Sequence, residues 1–155
     1  MGYDEPPSAQ GTGTPISPGD RSGSHNLVVG RFNRFTRTAF GGLVAGEANL
    51  ISSAAATVTG DNLNAATGTD AAVTGGQSNT ASGNFAAVTG GQSNTASGNF
   101  TAVTGGQSNT AGEAFAVVTG GSGNTASGFV SVVLGGQNNT TNRRPYAIAP
   151  QPPFP

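Results

Sequence analysis

The sequence predicts an all-β protein, a parallel β-solenoid of about eight coils with about 15 residues and two short strands in each. Three observations carry that reading. Val58, Val73, Val88, Val103, Val118 and Val133 recur at a constant spacing of 15 residues. A unit of this length is too short for a helix pair, which needs roughly 33 residues or more. It is built from Gly, Thr, Val, Asn and Ser, which are poor helix formers, while Val and Thr favour strands. Gly makes up 26 of the 155 residues and charged residues only 8%, against about 7% Gly and about 25% charged residues in ordinary domains. Such a chain turns often and packs backbone close to backbone.

Three segments follow in order. Residues 1–24 form a Pro/Gly-rich N-terminal segment or inserted loop, 25–142 the repeat domain, and 143–155 a Pro-rich tail. Within one unit, Ala86-Ala87-Val88-Thr89 is expected as the first strand and Gly90-Gly91-Gln92-Ser93 as a turn. Asn94-Thr95-Ala96-Ser97 is the second strand, and Gly98-Asn99 turns toward the next coil. Stacking by parallel pairing, about 4.8 Å per coil, lines like residues up in columns. Val73, Val88, Val103, Val118 and Val133 form one column, and Ala81, Ala96, Ala111 and Ala126 a small inward one. Asn79, Asn94, Asn109, Asn124 and Asn139 form a third, expected as an amide ladder that serves buried backbone groups. Upstream, Leu43-Val44-Ala45-Gly46-Glu47-Ala48-Asn49 aligns with Val73–Asn79, and Leu27–Asn33 aligns with it at a spacing of 16. Phe32, Phe35 and Phe40 are expected to pack inside this bulkier early coil, and one Phe per central coil to add to burial.

The Gly-Gly-x-x-Asn-Thr-Ala-Ser-Gly pattern at 75–83, 90–98 and 120–128, with 105–110 and Ala111, resembles the YadA-like head repeats of trimeric autotransporter adhesins. The openings Asn26-Leu27-Val28-Val29-Gly30 and Gly41-Gly42-Leu43-Val44-Ala45-Gly46 are similar as well. The resemblance spans roughly residues 25–142. It implies a left-handed β-roll, three chains side by side, and heads that bind host matrix or other cells. Similar repeats occur in phage tail fibres. The unit here is longer than the family's usual one, and no heptad stalk is visible in this chain.

Enzymatic chemistry finds little support. His25 is the only His, and Ser24 and Asp20 beside it on a Gly/Ser loop make a poor nucleophilic geometry. No cluster has metal-ligand spacing, and Asn, Thr and Ser stand where a calcium-binding roll repeats Asp; Asp61 and Asp70 are isolated. No catalytic residue, cofactor site or metal site is therefore expected. The stretch Arg31-Phe32-Asn33-Arg34-Phe35-Thr36-Arg37 mixes cations with aromatics, but reads better as a turn of an early coil than as a nucleic-acid patch. The Gly-Gly turns lack the Lys of a phosphate loop. There is no Cys, no apolar run of the roughly 20 residues that span a membrane, and no signal-peptide pattern at Met1–Pro7. Asn138 and Asn139 each begin an Asn-x-Thr sequon.

The expected function is that of a stiff structural and adhesive rod, a homotrimeric adhesin-head-like module or a filament subunit, at the cell surface or outside it. Partners would be further copies of the chain and a host matrix or cell surface, with neither nucleic acid nor membrane insertion. A phage-type tail-fibre component is the alternative. A third reading uses Thr74, Thr89, Thr104 and Thr119, with the file Thr80, Thr95, Thr110 and Thr125, as a regular hydroxyl and methyl array that binds ice.

Overall fold

A computed structural model describes residues 25–150, and every element in that span is a strand. Sheet one holds β1 (Leu27–Arg31), β3 (Leu43–Glu47), β5 (Thr57–Val58), β7 (Ala72–Val73), β9 (Ala87–Val88), β11 (Ala102–Val103), β13 (Val117–Val118), β15 (Val132–Val133) and β16 (Ile148–Ala149). Sheet two holds β2 (Arg34–Phe35), β4 (Leu50–Ile51), β6 (Ala65–Ala66), β8 (Thr80–Ala81), β10 (Thr95–Ala96), β12 (Thr110–Ala111) and β14 (Thr125–Ala126). The chain alternates between the sheets, and each strand pairs in parallel with its counterpart one coil on, as Val73 with Val88 and Thr80 with Thr95. The result is the expected parallel β-solenoid, of about eight turns.

The strands are shorter than expected, two residues in every central coil. Ala86 and Asn94, assigned to strands from sequence, sit just outside them as buried corner residues. Coil-to-coil bonding nevertheless runs through the flanks: the Ala87 N–H bonds the Thr101 carbonyl at 2.9 Å and the Thr89 N–H bonds that of Val103 at 3.0 Å.

Each central coil sends four side chains inward. Sheet one supplies Val58, Val73, Val88, Val103, Val118 and Val133, and sheet two supplies Ala66, Ala81, Ala96, Ala111 and Ala126, all buried. Ala71, Ala86 and Ala116 form a third column, continued by the buried hydroxyl residues Thr101 and Ser131. The fourth is Asn64, Asn79, Asn94, Asn109 and Asn124, fully buried amides in a core this thin.

The Asn column is a ladder of side chain to backbone, not of amide to amide. Asn94 is typical. Its Oδ1 accepts the N–H of Asn109 at 2.9 Å. Its Nδ2 donates to the Gly90 carbonyl in its own coil at 2.9 Å and to the Gly106 carbonyl in the next at 3.0 Å. One buried side chain thus serves three backbone groups at a turn, two of which have no other partner among the described residues; the third, the Gly106 carbonyl, also accepts the Gln92 N–H at 2.9 Å. Buried groups left unpaired would each cost roughly 1–3 kcal/mol.

Two corners per coil place a non-Gly residue in the left-handed region. One file is Leu63, Ser78, Ser93, Ser108 and Asn138, with φ of 56–58°; the other includes Asp70, Phe85, Phe100, Phe115 and Val130, with φ of 54–61°. Beside the first file stands Gly91 at φ +84°, where an added Cβ would lie 2.1 Å from the Gly106 carbonyl oxygen. Its neighbour Gly90 has open space, with nothing within 4 Å of an added Cβ.

The early coils depart from the aligned register. Val44, not Leu43, lies in the inward column, because Val44 pairs with Val58 and Leu43 with Thr57. The link from the inward Val to the buried Asn is one residue shorter in this coil (Val44 to Asn49) than in the later ones (Val73 to Asn79). Phe35 packs partly against the core, whereas Phe32 and Phe40 are exposed, at 67% and 46%. At the far end the sheet runs past residue 142, since Ile148 and Ala149 pair with Val132 and Val133. The segment read as tail thus contributes a strand, while residues 151–155 and 1–24 lie outside the described residues.

Two pairs of substitutions follow. Gly91→Ala is expected to destabilise by more than about 3 kcal/mol, through backbone overlap at a positive φ. Gly90→Ala is expected to stay within about 0.5 kcal/mol of the parent. Asn94→Ala leaves two backbone groups unpaired, the Gly90 carbonyl and the Asn109 N–H, and should cost about 3 kcal/mol. Asn139→Ala, whose amide among the described residues donates to Gly135 alone, at 2.8 Å, should cost about 1 kcal/mol. Urea denaturation midpoints read all four.

Candidate functional surfaces

The interior columns leave the alternate residues of each strand facing outward. On sheet one β1 and β3 turn out Leu27, Val29, Arg31, Leu43, Ala45 and Glu47, and from β7 on the outward residues are Ala72, Ala87, Ala102, Val117, Val132 and Ile148, half-buried except for the exposed Ile148. Beside them runs the file Thr74, Thr89, Thr104 and Thr119, ending in Leu134, 62% exposed. The predicted Thr file is thus exposed on sheet one, while Thr80, Thr95, Thr110 and Thr125 face out from sheet two. The two Thr files therefore lie on opposite faces and do not merge into one array. The Val, Ala and Asn columns named from sequence all face the core.

The residues that sequence reading placed least well are the central Phe side chains. Phe85, Phe100, Phe115 and Phe129 are not core but 44–51% exposed, and Tyr146 is 70% exposed. Phe85 and Phe100 stack at a centroid distance of 4.9 Å with 3° between their planes, and Phe100 and Phe115 at 5.1 Å with 4°. That spacing is close to the strand separation of about 4.7–4.9 Å, so the coil rise sets the ladder. Phe129 sits one residue before the left-handed corner, which Val130 occupies, and its ring meets Phe115 and Tyr146 edge-on, at 87° and 84°. A left-handed L residue costs roughly 1–2 kcal/mol. An aromatic pair contributes roughly 0.5–1.5 kcal/mol beyond burial, so stacking offsets much of the corner strain. The signal was present in the sequence: Phe85, Phe100 and Phe115 recur at a spacing of 15, the first two directly after a Gly-Asn corner.

Phe85, Phe100 and Phe115 stand two residues before the outward Ala87, Ala102 and Val117. From β7 to β16, Ala, Val and Ile side chains with the neighbouring Thr file line sheet one, bulkier toward β15 and β16, and the Phe ladder stands at the corner before them. Sheet two presents Thr with Ser82, Ser97 and Ser127 two residues on. Over these coils the two flanks differ, Ala, Val and Ile beside one Thr file on sheet one against Thr and Ser on sheet two. Between residues 71 and 142 the single charged side chain is Glu113.

The remaining candidates do not assemble. His25 is exposed, with Ser24 and Asp20 outside the described residues. Among the described residues no group of three or more His, Cys, Asp or Glu is placed to hold a metal. Arg31 pairs with Glu47 at 3.5 Å, both side chains well exposed, and lies 5.9 Å from the Phe32 ring centre. Such an exposed pair adds little stability. No helix among the described residues is long and apolar enough to cross a membrane. No protein family, curated protein or solved structure matches the chain.

The half-exposed rings and the buried columns should separate cleanly by mutation. Phe100→Asn keeps a residue that tolerates the left-handed corner and should cost about 1 kcal/mol or less. Val103→Ala opens a void in the core and should cost about 2 kcal/mol. Thermal or urea unfolding of the two variants checks the order.

Proposed function

We propose that the chain is a structural, adhesive rod that associates sideways with copies of itself through its sheet-one face, as a homotrimeric module of the adhesin-head kind. One observation carries the reading: from β7 to β16 the outward strand residues of sheet one are uncharged and apolar, while those of sheet two are Thr from β8 to β14. Contiguous apolar surface of this kind marks interaction sites on soluble proteins. The six strands from β7 to β16 set five spacings, so the apolar face is roughly 24 Å long. Lack of charge removes the self-repulsion that would keep copies apart.

In this arrangement the hydroxyl-rich flank of sheet two faces outward at the surface of the bundle. A regular repeat of weak contacts there, multiplied over coils and over chains, yields avidity without any single strong site. The resemblance to adhesin heads points the same way, to a cell-surface or extracellular rod whose outward face meets host matrix or another cell. A filament subunit is the competing assembly, and it differs in the direction of growth.

Sedimentation tests the proposal. The expected species has three times the mass of the 15.1 kDa chain. The variant Val117→Asp, Val132→Asp should keep the circular dichroism of the parent and sediment as a monomer. A parent that is monomeric at high protein concentration overturns the proposal.

A further inference from the structure

We infer that the outward face of sheet two binds ice, through a flat two-file net of Thr and Ser hydroxyls that holds water in crystalline order. The first file is Thr80, Thr95, Thr110 and Thr125, paired coil to coil and continued by a bridge from Thr125 to Thr140. The second file stands two residues on and holds Thr67, Ser82, Ser97 and Ser127, with Gly112 as a gap. The inward column between them, Ala81 to Ala126, is buried and makes no use of either file.

The hydroxyls of this face are open. Those of Thr80, Thr95, Thr110, Thr125, Ser82 and Ser97 bond no protein group among the described residues. On sheet one, by contrast, the Thr59 hydroxyl donates to the Thr74 carbonyl at 3.0 Å and the Thr119 hydroxyl to the Leu134 carbonyl at 2.5 Å. A free hydroxyl offers one donor and two acceptor sites, so each can hold water. The four Thr side chains are half-buried between their neighbours in the file. Being β-branched, they are also stiff at χ1. Their methyl and hydroxyl groups are therefore in place before water arrives, and binding costs little side-chain freedom.

Spacing and flatness select the partner. Coils repeat at about 4.7–4.9 Å, and residues two apart along a strand at about 6.6–6.8 Å. That rectangular net lies close to the oxygen net on a prism face of hexagonal ice. Sheets ordinarily twist, and a twisted face loses register with a crystal after a few coils. Here successive coils scarcely rotate: the rings of Phe85 and Phe100 lie 3° from parallel and those of Phe100 and Phe115 4°. Charge is almost absent too. Between residues 71 and 142 only Glu113 is ionised, on the corner past Gly112. A small soluble ligand has no use for so regular a net, whereas a crystal surface matches it over every coil.

The inference takes from the proposed function only that sheet two faces outward, and a single rod meets that condition as well. Thermal hysteresis in concentrated protein, with the shape of the ice crystals grown in it, is the test. The parent is expected to hold the freezing point below the melting point and to facet the crystals. Thr95→Lys with Thr110→Lys, on sheet two, is expected to keep the circular dichroism of the parent and lose both effects. Thr89→Lys with Thr104→Lys, on sheet one, is expected to keep both. Should the sheet-two pair fail to fold, Ser97→Lys, at an exposed position, takes its place. A parent without hysteresis overturns the inference, as does a folded sheet-two variant that retains it or a loss confined to the sheet-one pair. A parent that sediments as a monomer yet shows hysteresis overturns the trimer and leaves the ice-binding face standing.

Discussion

A buried asparagine that bonds three backbone groups in two adjacent coils is the interaction on which the rest of this solenoid depends. The interior has room for one Val, two small side chains and one Asn per coil, too little apolar bulk to hold a loop of 15 residues by itself. What a coil lacks in burial it gains from its neighbour, through strand bonds at both sheets and the Asn bridge at one corner. Stability is accordingly a property of stacked coils and not of any one of them, as in other repeat architectures. It also explains the tolerance for drift elsewhere. Gln92 becomes Ser122 and Ser93 becomes Gly123, while the Asn at the next position stays.

That bridge fixes the corners. To turn the buried amide toward two carbonyls, the residue before it takes a left-handed conformation, and the glycine facing the next coil must have no Cβ. The opposite corner also turns left-handed, with no Asn bridge inside it. There the coil rise brings consecutive Phe rings to stacking distance. An exposed aromatic at a strained corner would look like an error in a single coil. Repeated at the spacing of parallel strands it becomes a ladder, and the strain is largely repaid by its neighbours above and below.

The period of 15 made the fold class, the parallel register of the central coils and the three named inward columns legible, because identical residues can stack only one way when the repeat is constant. Legibility failed where the repeat was inexact. Leu43 and Val44 are both plausible inward residues. Only the 14-residue step to Val58, against 15 from Asn49 to Asn64, selects Val44. The Phe residues were misjudged because bulk and hydrophobicity suggest burial, whereas a core lined by Ala has no volume for a ring. Ile148 and Ala149 were taken for tail because Pro145 and Pro150 bracket them, yet two residues are all that a strand of this solenoid requires.

The surface follows from the same geometry. Once every second strand residue is committed to the core, the sequence controls the outside through the remaining ones, and it has spent them unevenly. Sheet one carries Ala, then Val and Ile, and sheet two carries Thr and Ser. Neither composition is needed for folding, because strand pairing between coils is made by backbone and the inward columns are complete without them. This asymmetry, which the fold does not require and which holds over the four coils of β8 to β14, is the feature on which the proposed sideways association rests.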